Sequence, residues 1–183
     1  MTAAILDTSL IATWLKLKNR TGLNLFELLP NIMQYALVPQ QVVCEIEAYA
    51  PLGERPEHLR RFLDEVGTAE TSFFRLCTTF DNIVLEEIKT LPRVDGGEAE
   101  ALAQSSKVAV NWILIDDKRC LPALKKRFLD TDFHNSLVVL YILAQAQLLP
   151  NSEKTFSDLN IVYNYSAKQK TQALQMANEW LLR

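Results

Sequence analysis

The sequence predicts an α/β protein built in three layers, α/β/α, around a mainly parallel sheet. Short apolar runs such as Ala3–Leu6 and Val108–Ile115 alternate with amphipathic stretches. These runs are apolar on both faces, as strands must be when helices cover both sides of a sheet. With 183 residues, 49% hydrophobic and only 5 Gly, the whole chain, 1–183, is expected to be one domain rich in helices. Residues 150–183 read as a C-terminal extension with no assigned role.

The elements follow in order. Ala3–Leu6 is a buried strand ending in Asp7. Ser9 is placed to cap a helix whose apolar face is Leu10, Ile11, Trp14 and Leu15. A second helix is expected over Leu25–Tyr35, with Pro30 kinking or ending it. Ala36–Val38 reads as a very short strand, and Pro39 opens a helix over Gln40–Tyr49. Residues 51–56 form a loop, and Glu57–Val66 a charged helix. Ser72–Thr79 is β-like and Asn82–Thr90 helical. Pro92–Gly97 breaks the chain before a helix from Glu98 to about Ser106. Val108–Ile115 is the clearest strand and runs into Asp116-Asp117. Helices are then expected over Leu121–Phe128 and Asn135–Gln147, a strand near Ile161 (IVYNY), and a last helix over Ala167–Leu182.

Composition removes several function classes. The net charge of −3 gives no global pull toward nucleic acid, so such binding needs a local basic patch. Cys44, Cys77 and Cys120 form no CxxC pair, and His58 and His134 form no HExxH motif. Zinc chemistry and a Ser-His-Asp triad are therefore poorly supported. The opening MTAAILDTSL lacks a positive n-region. The most apolar run, Leu137–Leu149, falls short of the roughly 20 residues of a membrane span. A cytoplasmic protein with no membrane contact is expected.

Acids stand where a doubly wound sheet gathers its ligands, beyond the carboxyl ends of the strands. Asp7 and Asp116 end two strands, Glu45 lies in the helix after Pro39, and Glu98 begins the helix after Gly96-Gly97. Gathered together, such carboxylates repel one another, and a hard divalent cation offsets that repulsion. Metal-assisted phosphodiester hydrolysis suits an all-carboxylate site. Each acid also has a structural reading. Asp7, and Asp116 with Asp117, can cap helices, Glu45 can be a solvated helix residue, and Glu98 can answer the helix dipole.

The segments ILDTSLI (5–11), VPQQVVCEI (38–46), DGGEAEALAQS (95–105) and ILIDDKRC (113–120) stand in the order found in the PIN-domain family, which the chain resembles. The third and fourth are similar to the branch with a GExEAxxLA segment before a strand ending in DD. The resemblance spans roughly residues 3–149. It implies a PIN-like α/β/α fold and a Mg²⁺- or Mn²⁺-dependent endoribonuclease acting on RNA. It also implies a toxin role beside an antitoxin protein, and a homodimer. By motif, the catalytic metal-binding acids are Asp7, Glu45, Glu98 and Asp116, with Asp117 a fifth ligand or a supporting acid. Thr8 and Ser9 follow the first acid and can hydrogen-bond it or a metal-bound water. Glu100, two positions from Glu98, points elsewhere on the helix. The sequence departs from the branch at Asn135-Ser136, where Gly-Thr is expected. Asp130, Asp132 and His134 lie close by, as site residues or as loop and cap.

Lys118, Arg119, Lys125 and Lys126 are the candidate RNA contacts, or else a solvated helix face. Arg55, Arg60 and Arg61 are interleaved with acids and read as helix surface. Phe73, Phe74, Phe80 and Trp112 read as core. A haloacid-dehalogenase-type phosphatase also starts from an acid ending the first strand, but it needs a second Asp where Ser9 stands. The remaining alternative is a PIN-like binding or scaffold module with weak catalysis.

Overall fold

A computed structural model describes residues 3–49, 62–67, 69 and 71–182. Its centre is a five-stranded, fully parallel sheet in the order β3-β2-β1-β4-β5. The strands are β1 (Ala3–Leu6), β2 (Tyr35–Pro39), β3 (Phe74–Cys77), β4 (Trp112–Leu114) and β5 (Phe133–His134). The order reverses at β1, so β2 lies on one side of it and β4 on the other.

Alternation along the strands builds two cores. Ala4, Leu6, Ala36, Val38, Trp112 and Leu114 face one side, and Ile5, Leu37, Ile113 and Ile115 face the other. The first side is covered by α1 (Thr8–Thr21), α2 (Leu25–Leu28), α3 (Gln40–Tyr49) and α7 (Ser136–Gln145), with α8 (Ser152–Tyr163) and α9 (Ala167–Leu181) behind them. The second side is covered by α4 (Asn82–Lys89), α5 (Gly96–Ser105) and α6 (Leu121–Arg127). Burying both faces of a sheet this way is what the run-type strands require.

Several expected boundaries move, each for a local reason. Asp7, not Ser9, caps α1, because its extended backbone lets the carboxylate accept the Ser9 N–H. The expected helix over Leu25–Tyr35 stops at Leu28 and tightens into a 3₁₀ turn over Leu29–Asn31, because Pro30 has no N–H to continue the ladder. The expected strand over Val108–Ile115 shrinks to Trp112–Leu114. Lys107 and Val108 still donate to Gln104 O as α5 unwinds, and Asn111 Oδ1 takes the Ala3 N–H. The expected strand IVYNY is not a strand. Ile161 to Tyr163 complete α8, and Asn164, in the left-handed region at φ 50°, ends it. A β-branched run is no strand without a neighbouring edge to pair with. Gly96 and Gly97, expected to break the chain, are instead the first turn of α5. The loop at 51–56, and with it the Arg55, Arg60 and Arg61 cluster, lies outside the described residues; of the predicted helix over Glu57–Val66, residues 62–65 are helical.

The two faces of the sheet meet at its upper edge through Glu100. Its carboxylate accepts the Gln40 N–H (2.9 Å) and the Gln41 N–H (3.1 Å), which open α3, and the Gln104 amide (3.1 Å). Replacing Glu100 with Ala leaves two helix-opening N–H groups unpaired. Urea denaturation is expected to show a loss of about 1–3 kcal/mol with the circular dichroism spectrum retained.

Candidate metal centre

Parallel pairing of β1 with β4 brings Asp7 and Asp116 out at the same edge, flanking the point where the strand order reverses. A crevice forms there in open α/β sheets because the loops on the two sides lead away from each other. Asp7 is 1% exposed. Its Oδ2 accepts the Ser9 N–H (2.8 Å) and the Ser9 hydroxyl, so this oxygen does the capping. Its Oδ1 is buried and has no partner among the described residues. Capping and ligation, alternatives in the sequence, are thus divided between two oxygens of one carboxylate.

Two further carboxylates gather beside Asp7. Asp95 and Glu98 are the N-cap and third residue of α5 and form a reciprocal capping box. Glu98 Oε2 accepts the Asp95 N–H (2.7 Å), and Asp95 Oδ1 accepts the Glu98 N–H (3.3 Å). One oxygen each from Asp7, Asp95 and Glu98 lies within 4.8 Å of the others. Glu45 enters from α3. Its Oε2 accepts the Thr8 hydroxyl (2.5 Å), and its Oε1 accepts the Gln41 amide (3.2 Å). Gly97 keeps the space between them open. A Cβ there would stand 3.0 Å from Glu45 Oε2, 3.2 Å from Asp7 Oδ1 and 3.2 Å from Thr8 Oγ1.

The electrostatics are unfavourable as they stand. Burial pushes the Asp7 carboxyl up to about 7, against the pull of the Ser9 hydrogen bonds, with Asp95 and Glu45 adding repulsion. Burial also holds Glu98 well above the usual carboxylate range, with Asp95 and Asp7 adding to it. The Cys120 thiol, 3.6 Å from Glu98 Oε1, is raised by burial and by Glu98, so it stays protonated and adds no anion. A buried oxygen without a donor, a group of carboxylates with raised pKa values and a gap that a methyl would fill together suit a hard divalent cation with oxygen ligands.

Asp116 shares that edge but is held by donors of its own. It is 1% exposed, and its oxygens accept the Ser136 N–H (2.8 Å), the Ser136 hydroxyl (2.5 Å) and the Tyr165 hydroxyl (3.0 Å). It stands outside the three-carboxylate group, tied to Asp7 through Ser9, whose Oγ accepts the Asp116 N–H (3.0 Å) and the Asp117 N–H (3.1 Å). Asp117 also stands apart, turned back to the Arg119 guanidinium, which lowers its pKa. The Asn135-Ser136 departure is where Asp116 finds its partners, and Asn135 caps α7 through the Val138 N–H. Lys118 lies beside Asp116, its Nζ 3.3 Å from Asn164 O and 4.9 Å from the Tyr165 ring centre. Lys125 and Lys126 are exposed on α6.

Asp95 is the site residue that sequence reasoning missed, although Asp-x-x-Glu ahead of an apolar stretch is the signature of a capping box. That motif alone forces two carboxylates together. Tyr165 was missed too, because the IVYNY run reads as a strand.

A family model described as a PIN domain matches residues 3–179, running past the motifs into the C-terminal helices. No curated protein and no solved structure matches the chain. Among the described residues, no helix is long and apolar enough to cross a membrane.

Two outcomes follow from the geometry. Below its unfolded value of 3.8 Asp7 is protonated in both states; above it the unfolded chain ionises first, until the folded carboxyl follows near 7. Without divalent cation, the wild type is expected to lose on the order of 2–3 kcal/mol relative to Asp7→Asn between pH 5 and pH 8, read by urea unfolding. Saturating Mn²⁺ is expected to reverse that loss in the wild type only. Gly97→Ala puts a methyl in the gap, and calorimetry is expected to show Mn²⁺ affinity falling about tenfold or more, despite the better helix propensity of Ala.

Proposed function

From the chain's membership of the PIN-domain family, whose proteins are generally nucleases, we propose that it is a divalent-metal-dependent endoribonuclease. The observation that carries this reading is the grouping of Asp7, Asp95 and Glu98, in which Asp7 keeps a buried Oδ1 without a partner among the described residues, beside the gap at Gly97. Asp7, Asp95 and Glu98, with Glu45 approaching from α3, are the groups that would hold Mg²⁺ or Mn²⁺. A bound ion of this kind supplies positive charge at the scissile phosphate and lowers the pKa of a bound water toward neutrality.

The chain's own residues prepare that site. Ser9 fixes the rotamer of Asp7, and Thr8 fixes that of Glu45, so neither acid must be ordered when the ion arrives. Asp116 acts as a positioning acid, holding the start of α7 and Tyr165 while its own N–H is held by Ser9. The Lys118 ammonium, beside Asp116 and Tyr165, is the cation we assign to the RNA backbone, with exposed Lys125 and Lys126 as outer contacts. Arg119 is already committed to Asp117 and is left out of that set. An antitoxin protein and a second copy of the chain are proposed as partners on the family resemblance.

Purified protein with mixed single-stranded RNA tests this. Cleavage is expected with Mg²⁺ or Mn²⁺, none with EDTA, and a loss of at least about a hundredfold in Asp7→Asn and Glu98→Gln. Asp116→Asn is expected to fall less than either. Cleavage that persists in Asp7→Asn, or wild-type protein that binds Mn²⁺ without cutting RNA, sinks the proposal; the latter leaves the scaffold reading.

A further inference from the structure

Gln41 stands about one turn before Glu45 on α3, and its side-chain amide donates to Glu45 Oε1 at 3.2 Å. Residues four apart on a helix share a face, so α3 itself brings the two together. The Gln41 backbone N–H is given to Glu100 Oε2 at 3.1 Å, which fixes where the side chain starts. Gly96 lies against that side chain. A Cβ there would stand 3.1 Å from Gln41 Cγ and 3.2 Å from both Cδ and Nε2. The two glycines that open α5 therefore leave different spaces. Gly97 clears the gap beside Asp7 and Glu45, and Gly96 makes room for the amide that reaches Glu45.

We propose that Gln41, seated against Gly96, is a positioning residue that keeps Glu45 at the acidic site for a divalent cation. This rests on the metal-centre reading. In the ion-free protein Glu45 and Asp7 repel one another. A glutamate has the side-chain freedom to answer such repulsion by swinging out to water. Two donors oppose that swing, the Thr8 hydroxyl at Oε2 and the Gln41 amide at Oε1. Both are neutral. A neutral donor orients a carboxylate and leaves its charge for the ion, whereas a lysine at 41 would cancel that charge. Glu100 anchors the other end of the device. It lies on α5, two residues beyond Glu98, and holds the N–H groups that open α3. Gln41 thereby sets the Glu45 carboxylate of α3 in place against the Asp95–Glu98 box of α5.

Calorimetric titration of the full chain with Mn²⁺ reads this without cleavage. Gln41→Met keeps the side-chain length and the backbone N–H but has no donor, and Mn²⁺ affinity is expected to fall about tenfold. Gly96→Ala is expected to weaken Mn²⁺ by less, because its methyl shifts the amide by only a few tenths of an ångström. It reaches the same contact from α5, and so tests the assignment even if Gln41→Met fails to fold. In a Glu45→Gln background both substitutions are expected to change the affinity by less than about twofold, since their effect passes through the Glu45 carboxylate. Gln41→Lys is expected to raise the urea midpoint of the ion-free protein while weakening Mn²⁺ by at least about tenfold, opposite signs that a purely structural role does not produce. Unchanged Mn²⁺ affinity in folded Gln41→Met overturns the assignment and leaves the metal centre. An undiminished loss in the Glu45→Gln background also overturns it, because Gln41 then acts through α3 and not through Glu45. A wild type that binds no Mn²⁺ overturns the metal centre and the assignment with it.

Discussion

The folded chain is organised around a set of buried acids whose ionisation it resists. Asp7, Asp95 and Glu98 bring oxygens within 4.8 Å of one another at the reversal point of the sheet, and Asp7 and Glu98 are almost wholly buried. Burial of an unpaired carboxylate is among the costlier things a fold does, and groups so placed shift their pKa values instead of ionising. The surroundings are built to hold the acids there all the same. β1 ends on Asp7, the Asp95–Glu98 box opens α5, Thr8 and Gln41 hold Glu45, and Gly97 leaves the gap clear. Stability given up at one edge of the sheet is offset by two apolar cores on either face.

The carboxylates divide into two kinds by what donates to them. Glu100 and Asp116 are surrounded by backbone and hydroxyl donors and act as joints, the first for α3 and the second for α7 and Tyr165. Asp7 retains an oxygen with no donor among the described residues, although it is as buried as Asp116. Burial alone therefore does not mark a ligand, and neither does a raised pKa, since burial raises all of these acids. The distinction lies in which oxygen is left without a donor among the described residues, and it separates Asp7 from Asp116 and Glu100.

The layered parallel sheet was legible because runs such as AAIL and WILI are apolar at every position, a pattern that only a twice-covered strand needs. That Asp7 and Glu98 come together was legible for a related reason, since strand ends and helix starts at a doubly wound edge have fixed places. Asp116 was legible as a strand-end acid but not as a satisfied one. Its partners Ser136 and Tyr165 lie 20 and 49 residues onward, and nothing local in the sequence encodes such pairings. Asp95 was hidden by a different ambiguity, because its capping role is sufficient reason for an Asp there.

The C-terminal helices show how a short run can be misread when its neighbours decide it. Ile161, Val162 and Tyr163 favour a strand by intrinsic preference, but they pair with no strand of the sheet. They continue α8 instead, and Asn164 takes the left-handed turn that Asn tolerates better than most residues. That turn directs Tyr165 inward, and the Ser166–Gln169 capping box starts α9 immediately afterwards. A strand here would alternate its side chains and send Tyr165 elsewhere. The helix-turn-helix instead ties the end of the chain to Asp116 through a single phenol, so the C-terminal extension and the acidic edge share a residue.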